Sequence, residues 1–317
     1  MEQDSDRIAI IGAGMAGLAC ADSLVAWGHT ITLFDKGRGP GGRMSTRRVE
    51  TPLGETGFDH GAQYFTARSA AFQQQVQAWQ NAGIVAHWPA AGDHAYVGTP
   101  AMNAPIKAIA ARHDVHWATR IIELDQRDNE WVLGTESGEH GPYDGIIIAV
   151  PAEQVSDLVE VHQPDFARAA SAVQSAPCWT VMLAFDAPLS DMPDTIRNLP
   201  PIGWAARNNA KPGRAYIESW VVQADPEWSA THLEDAADAI IAAMTEALEK
   251  AGRIVLPKPI IAQAHRWRYA MVPKRSDADA TPFLWDAEKQ IGLCGDWLSG
   301  PRIENAWLSG RALAEAI

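Results

Sequence analysis

Glycines at positions 12, 14 and 17, in the run Gly12-Ala13-Gly14-Met15-Ala16-Gly17, constrain this chain more than any other feature. They follow the short apolar run Arg-Ile-Ala-Ile-Ile at residues 7–11, which suits a strand buried on both faces. They precede Leu18, Ala21, Leu24 and Val25 at helical spacing, and Gly28 stops that helix. The β-branched run at residues 29–34 reads as the next strand. Strand, turn, helix and parallel strand make a βαβ unit with a right-handed crossover. Gly12 permits the tight turn, Gly14 lets a pyrophosphate approach the backbone, and Gly17 lets helix and strand pack closely. Met15 and Ala16 join the glycines in the cofactor set, ahead of a helix N-terminus whose N–H groups attract an anion. Asp35 lies 23 positions after Gly12, the spacing of a carboxylate that bonds a ribose hydroxyl. The expected fold class is α/β, with a Rossmann-type dinucleotide-binding domain.

The segment DKGRGPGGRM, residues 35–44, separates FAD from NAD. Lys36 leads into a second glycine loop that ends Gly42-Arg43, and an arginine fork there can meet the same pyrophosphate. On these residues the chain resembles FAD-containing oxidoreductases of the glutathione-reductase superfamily, their amine-oxidase-like branch in particular. Three further segments are similar to those of bacterial renalase-like enzymes: FDHGAQYFT at 58–66, HRWRYA at 265–270, and CGDW at 294–297 with ENAWLSG at 304–310. WAARNNAKPGR, residues 204–214, shares the likeness.

The resemblance implies that Gly61, Ala62 and Gln63 lie beside the flavin ring and that Ile122 belongs to the cofactor set. It implies that Gly295 and Asp296 approach the ribityl–pyrophosphate region. Glu304, Asn305 and Ala306 then open a helix aimed at the flavin pyrimidine edge, with Asn305 standing where many relatives carry glycine. His265, Tyr64 and Trp267 become pocket candidates beside a flavin that carries the chemistry, and Trp204, Arg207 and Tyr269 become substrate contacts. Lys211, like Arg207, reads either as a phosphate partner or as a solvated loop charge. The implied activity is an FAD-dependent oxidase that takes hydride from non-canonical dihydro-NAD(P) isomers. Molecular oxygen is the acceptor and hydrogen peroxide the product. Two alternatives stay open: an amine or carotenoid-type oxidoreductase on the same scaffold, and a flavin-binding redox sensor without turnover.

Charge and cysteine usage exclude other classes. With 26 basic and 39 acidic side chains the net charge is −13, which argues against nucleic acid or an anionic membrane surface as partner. Cys20, Cys178 and Cys294 are widely spaced, an odd set without CxxC, so neither a disulfide framework nor a zinc site is expected. No metal site, membrane span or signal peptide is read, and the expected location is cytoplasmic. No GxSxG or comparable cue for Ser or Cys nucleophilic catalysis is present.

Further along, Phe72, Val76 and Trp79 predict a helix. Short strands are expected around Val85 and Tyr96, a short helix at 105–112, and strands at 113–123, 131–133 and 143–150. The spacing of Ile240, Met244 and Leu248 predicts a helix over 234–250 with Gly252 as its stop. Strands are expected at 180–185, 216–222 and 290–294, and a closing helix at 304–316. These elements suggest a discontinuous FAD-binding domain (1–68, 98–152 and 288–317) with an inserted α+β substrate domain (69–97 and 153–287).

Overall fold

The structure is a computed structural model that describes residues 5–275 and 281–317. The chain divides into two compact units, Met1–Gly42, Ile106–Gln174 and Val272–Ile317 forming the first, and Arg43–Pro105 with Ser175–Met271 the second. Among the described residues no helix is long and apolar enough to cross a membrane.

The first unit is built on a six-stranded sheet in the order Phe283–Asp286, Ile291–Cys294, Gly145–Ile148, Arg7–Ile11, Thr30–Phe34, Asp114–His116. All neighbours pair in parallel except the edge strand Phe283–Asp286, which runs antiparallel. The central strands are unbroken apolar runs because helices and a second sheet cover both faces. Ile11, Ile146, Ile148, Ile291 and Leu293 join Trp131 and Trp297 in one core. The glycine turn leads from Arg7–Ile11 into the helix Met15–Ala26, and a closing helix, Ile303–Ala314, packs on it. The approach is closest at Gly310, where a β-carbon would lie 2.0 Å from the Ala16 carbonyl oxygen. The antiparallel strands Glu123–Arg127, Glu130–Thr135 and Gly138–Tyr143 form a separate meander.

The second unit centres on a five-stranded antiparallel sheet, in the order Thr195–Leu199, Ile202–Arg207, Glu218–Ala224, Ala176–Phe185, Ile261–Met271. One face packs Trp179, Val181, Leu183, Trp220 and Val222 against Ile240, Met244 and Leu248 of the helix Ala237–Gly252. On the other face Phe58, from the hairpin Arg47–Thr51 and Gly54–Phe58, packs with Met182, Ala184 and Val221. A three-stranded sheet and the helix Ala70–Asn81, which buries Phe72, Val76 and Trp79, complete the unit.

Several expected boundaries move. The expected strand at 113–123 shrinks to Asp114–His116, because the chain turns at Ala118, whose φ is +54°. The run expected as one strand at 143–150 is two, since Tyr143 ends the meander and Gly145–Ile148 enters the parallel sheet. The helix stop is the left-handed residue Arg253, one position beyond Gly252. Residues 43–68 and 98–105 belong to the second unit, not the first, because their hairpin and loop pack on its sheet. Residues 153–174, 272–275 and 281–287 move the other way, with Val155, Val159, Ala167, Ala170 and Val173 filling the first unit's core.

Candidate active site

In the first unit, the helix Met15–Ala26 begins at Gly14 with no side-chain cap and no acidic residue in its first turn. Its leading N–H groups therefore have no side-chain acceptor and present a partial positive charge. A β-carbon at Gly12, whose φ is +107°, would fall 2.6 Å from the Ala149 carbonyl oxygen, and one at Gly17 2.0 Å from that of Gly12. At Gly14 it would meet nothing within 4 Å, so the middle glycine faces the open side of the loop. Asp35 ties this loop to the next, its Oδ2 accepting from Ala13 N (2.8 Å) and its Oδ1 from Gly37 N (2.7 Å). Each oxygen keeps a second lone pair for a ribose hydroxyl. This cradle fits a dinucleotide pyrophosphate.

Around it, Lys36 donates to Gln154 Oε1 at 2.6 Å, and burial followed by Arg120 lowers its pKa. Gly42 adopts φ +51° at the end of the second loop. Gly295 N donates to Ser309 Oγ (2.8 Å), and Asp296, Glu304 and Ala306 are buried near the start of the closing helix. The Asn305 amide donates to the carbonyls of Ser299 (3.0 Å) and Gly300 (3.1 Å), so it pins the loop before its own helix. Ile122 is 48% exposed and donates its N–H to Gly134 O at the entry to the meander.

In the second unit the sheet register aligns one row of side chains across all five strands. Arg197 pairs with Trp204, Trp204 with Gln223, Gln223 with Thr180, and Thr180 with His265. Cross-strand partners share a face, so the row lies opposite the tryptophan-rich core. The loop after Phe58 is fastened onto it. Trp267 Nε1 donates to His60 O (2.8 Å), Gln223 Nε2 donates to Gly61 O (2.7 Å), and the Tyr64 ring lies 5.1 Å from that of Trp204. His60 stacks on Trp267 (5.2 Å, 29°) and meets His265 edge-on (4.9 Å). Gly61 cannot carry a side chain, because a β-carbon would sit 2.1 Å from Arg43 O, which also accepts from Ala62 N (2.8 Å).

Both imidazoles are neutral at physiological pH. Burial pushes His60 down to about 4, helped by His265 and Arg47, and burial with Arg47 pushes His265 to about 4. Arg47 Nη2 lies 3.1 Å from His265 Nδ1. A guanidinium only donates, so Nδ1 accepts and the His265 proton resides on Nε2. Beneath the loop, Asp59 is fully buried. Its Oδ2 meets Lys211 Nζ (3.1 Å) and Arg214 Nη2 (2.7 Å), while Oδ1 accepts from Thr46 Oγ1 (2.6 Å) and Met102 N (3.0 Å). Burial opposes ionisation of Asp59, yet Lys211 and Arg214 hold its carboxyl well below the usual range. Burial pulls Lys211 down to about 8 despite the pull of Asp59. Lys211 Nζ also donates to Gln63 Oε1 (3.1 Å), and Gln63 Nε2 donates to the Asp59 and Gly61 carbonyls, which closes the loop on itself.

The row thus gathers His265, Trp267, Tyr64, Trp204 and Gly61, while Gln63 is buried against Lys211 and Tyr269 is exposed in the stretch where the strand register shifts. Arg207 does not join them. It stands three residues from Trp204, an odd separation that places it on the opposite face, with Glu218 (3.0 Å) and the carbonyls of Leu189 and Met192. Lys211 is likewise an internal ion-pair partner and not a loop charge. Arg47, Arg197 and Gln223 lie outside every motif, whereas Asp59 and Arg214 sit inside the 58–66 and 204–214 segments without a role that the sequence alone assigns. The every-second-residue spacing of His265 and Trp267 is a local signal for a shared face. Among the described residues no group of three or more His, Cys, Asp or Glu is arranged to hold a metal ion. Burial raises all three thiols, Cys178 to about 11 and Cys294 to about 12.

A glycine-loop Rossmann sheet joined in one chain to an antiparallel sheet with an aromatic face defines the class of FAD-dependent oxidoreductases. Residues 10–79 match the NAD(P)-binding Rossmann-like domain, and residues 80–317 match the flavin containing amine oxidoreductase model. The chain belongs to the flavin containing amine oxidoreductase family, and its cofactor is FAD. It is 24% identical to mouse (Mus musculus) renalase over 297 residues, 84% of this chain and 85% of that one. It is 28% identical over 196 residues to the tRNA 5-methylaminomethyl-2-thiouridine biosynthesis bifunctional protein MnmC of Magnetococcus marinus. That match takes in 46% of this chain, which spans only 29% of the MnmC protein. The fold is similar to that of cyclohexylamine oxidase from Brevibacterium oxydans, with a TM-score of 0.71, 11% identity and 98% of each chain covered.

Proposed function

We propose that this protein is a renalase-like oxidase that takes hydride from the 2- or 6-dihydro isomers of NAD(P), returns β-NAD(P)+, and passes the two electrons to oxygen as hydrogen peroxide. The observation that carries the reading is the row over the second unit's sheet: flat indole and phenol rings, two uncharged imidazoles, and flanking guanidinium groups. A planar, phosphate-bearing heterocycle matches that surface, whereas a protonated amine would meet cations. The extended likeness to mouse renalase supports the same substrate class.

FAD, when bound, supplies the hydride acceptor and the route to oxygen. We assign its pyrophosphate to Gly12, Gly14, Gly17 and the N–H groups of Met15 and Ala16, and its ribose to Asp35. Gly295, Asp296, Glu304 and Ala306 complete the set on the first unit. Gly42, Arg43, Gly61, Ala62 and Gln63 stay in the set on their motifs. The protein's own task is to orient the donor carbon. Trp267, held by His60 O, and Trp204, held by Tyr64, form flat walls. His265, its tautomer set by Arg47, offers Nε2–H to the substrate carboxamide. No ionised base is needed, because the reaction removes hydride and leaves an aromatic pyridinium.

Anaerobic mixing with 2- and 6-dihydro-NAD(P) should bleach the yellow flavin band, and admitting oxygen should restore it with one hydrogen peroxide per substrate. An unbleached flavin with every isomer, or bleaching by primary amines instead, overturns the assignment.

A further inference from the structure

We propose that Arg197 is the specificity residue of this platform, binding a phosphate of the substrate and so selecting anionic dihydronicotinamide nucleotides over neutral or cationic molecules. The inference rests on the reading above and deepens it. Arg197 lies at the end of the aligned row, its guanidinium carbon 4.3 Å from the centre of the Trp204 ring and 6.0 Å from that of Tyr64. Nη2 donates to Ala91 O at 2.7 Å, which fixes the plane of the group. Its other donors stay unengaged: among the described residues Arg197 makes no ion pair, whereas Arg207, Arg214, Arg266 and Arg268 each hold a carboxylate. An anchored planar fork without a counter-charge is suited to a phosphate.

Two further observations point to a ligand here. Trp204 Nε1 is buried and has no hydrogen-bond partner, which leaves a donor beside the guanidinium unmatched. Arg47 is a second guanidinium on the row, 3.1 Å from His265 Nδ1, whereas Lys211, Arg214 and Asp59 form an internal ion-pair group beneath the loop. Two guanidinium groups, Arg47 and Arg197, thus flank the row in a chain of net charge −13. Three strand spacings separate Trp204 from His265, about 14 Å at ~4.8 Å per strand. Gly61 covers the middle of the row through Gln223, so a dinucleotide with its nicotinamide at the His265–Trp267 end has to cross the outer side of that loop to bring a phosphate to the Trp204 end.

The test compares holoenzyme carrying Arg197→Gln or Arg197→Lys with wild type, using 6-dihydro-NAD and the phosphate-free 6-dihydronicotinamide riboside. Arg197→Gln should raise KM for the dinucleotide about tenfold or more, with kcat within about twofold, and leave the riboside KM unchanged. Arg197→Lys should recover part of the loss. An equal rise for both substrates at matched FAD content and thermal midpoint, or no change for either, overturns the inference. If wild type oxidises neither substrate, the functional reading falls, and quenching of tryptophan fluorescence by β-NAD then decides Arg197 separately. Quenching weakened about tenfold in Arg197→Gln upholds a phosphate contact. Equal quenching in both proteins, or none in wild type, overturns it.

Discussion

His60 stacks on Trp267, His265 meets that ring edge-on and Arg47 lies beside them, so protonating either imidazole puts a cation near a cation in a poorly hydrated place. Both have folded pKa values near 4, below the usual 6.5. Between those values the unfolded chain binds more protons than the folded one, so stability falls as pH drops from about 6.5 to about 4. Urea midpoints across that range should decline in wild type and decline less in His265→Asn; parallel slopes would show that the ring is not held neutral. The same logic governs Asp59. Removing its charge strands Lys211 and Arg214 in the interior, so Asp59→Asn should lose about 3–5 kcal/mol of unfolding free energy. Asp59→Asn combined with Lys211→Met should recover a large part, because one stranded cation goes with it. A double variant no more stable than the single one would place the cost elsewhere.

The glycine cradle is an element-scale device, and its tightest point is a helix crossing. Gly310 lets the closing helix touch the first turn of the glycine-loop helix, with a β-carbon position only 2.0 Å from Ala16 O. Backbone cannot yield there, so Gly310→Ala should cost about 1–3 kcal/mol and disturb the N–H groups assigned to pyrophosphate. The purified variant should carry less FAD per protein by absorbance; full FAD content at an unchanged thermal midpoint would refute the coupling. This cradle was legible in the sequence because strand, turn, helix and Asp35 are all set within 35 residues by local periodicity and glycine chemistry. The aromatic row was legible only as separate motifs. Arg197, Trp204, Gln223, Thr180 and His265 meet through cross-strand register, which depends on non-local pairing that spacing along one chain does not encode. Arg207 falls outside the row for a local reason, since its odd separation from Trp204 along one strand sets it on the other face. Tyr143 reads as the start of the next strand because it directly precedes the apolar run Gly145–Ile148, and only its pairing with Trp131 assigns it to the meander.

At the scale of the whole molecule, the chain passes between the two units four times, after Gly42, Pro105, Gln174 and Met271. Each unit is thus assembled from distant segments, and neither is a continuous stretch of sequence. The consequence is sharpest for the last segment. Ile291–Cys294 hydrogen-bonds to Gly145–Ile148 inside the parallel sheet, and the closing helix covers the glycine-loop helix through Gly310. A chain ending at Met271 keeps Gly12, Gly14, Gly17 and Asp35, every residue of the dinucleotide fingerprint. It loses a buried strand, the helix and the Trp297 and Leu298 side chains of the first unit's core. Because the glycines act only when that packing holds their turn in place, the shortened chain should bind no FAD, even after reconstitution with excess cofactor. It should also lose the cooperative unfolding transition of the first unit. Titration with FAD, followed by flavin fluorescence quenching and calorimetry, checks both. Saturable FAD binding by residues 1–271 would mean that the fingerprint folds on local signals alone and that the returning segment serves the substrate, not the cofactor.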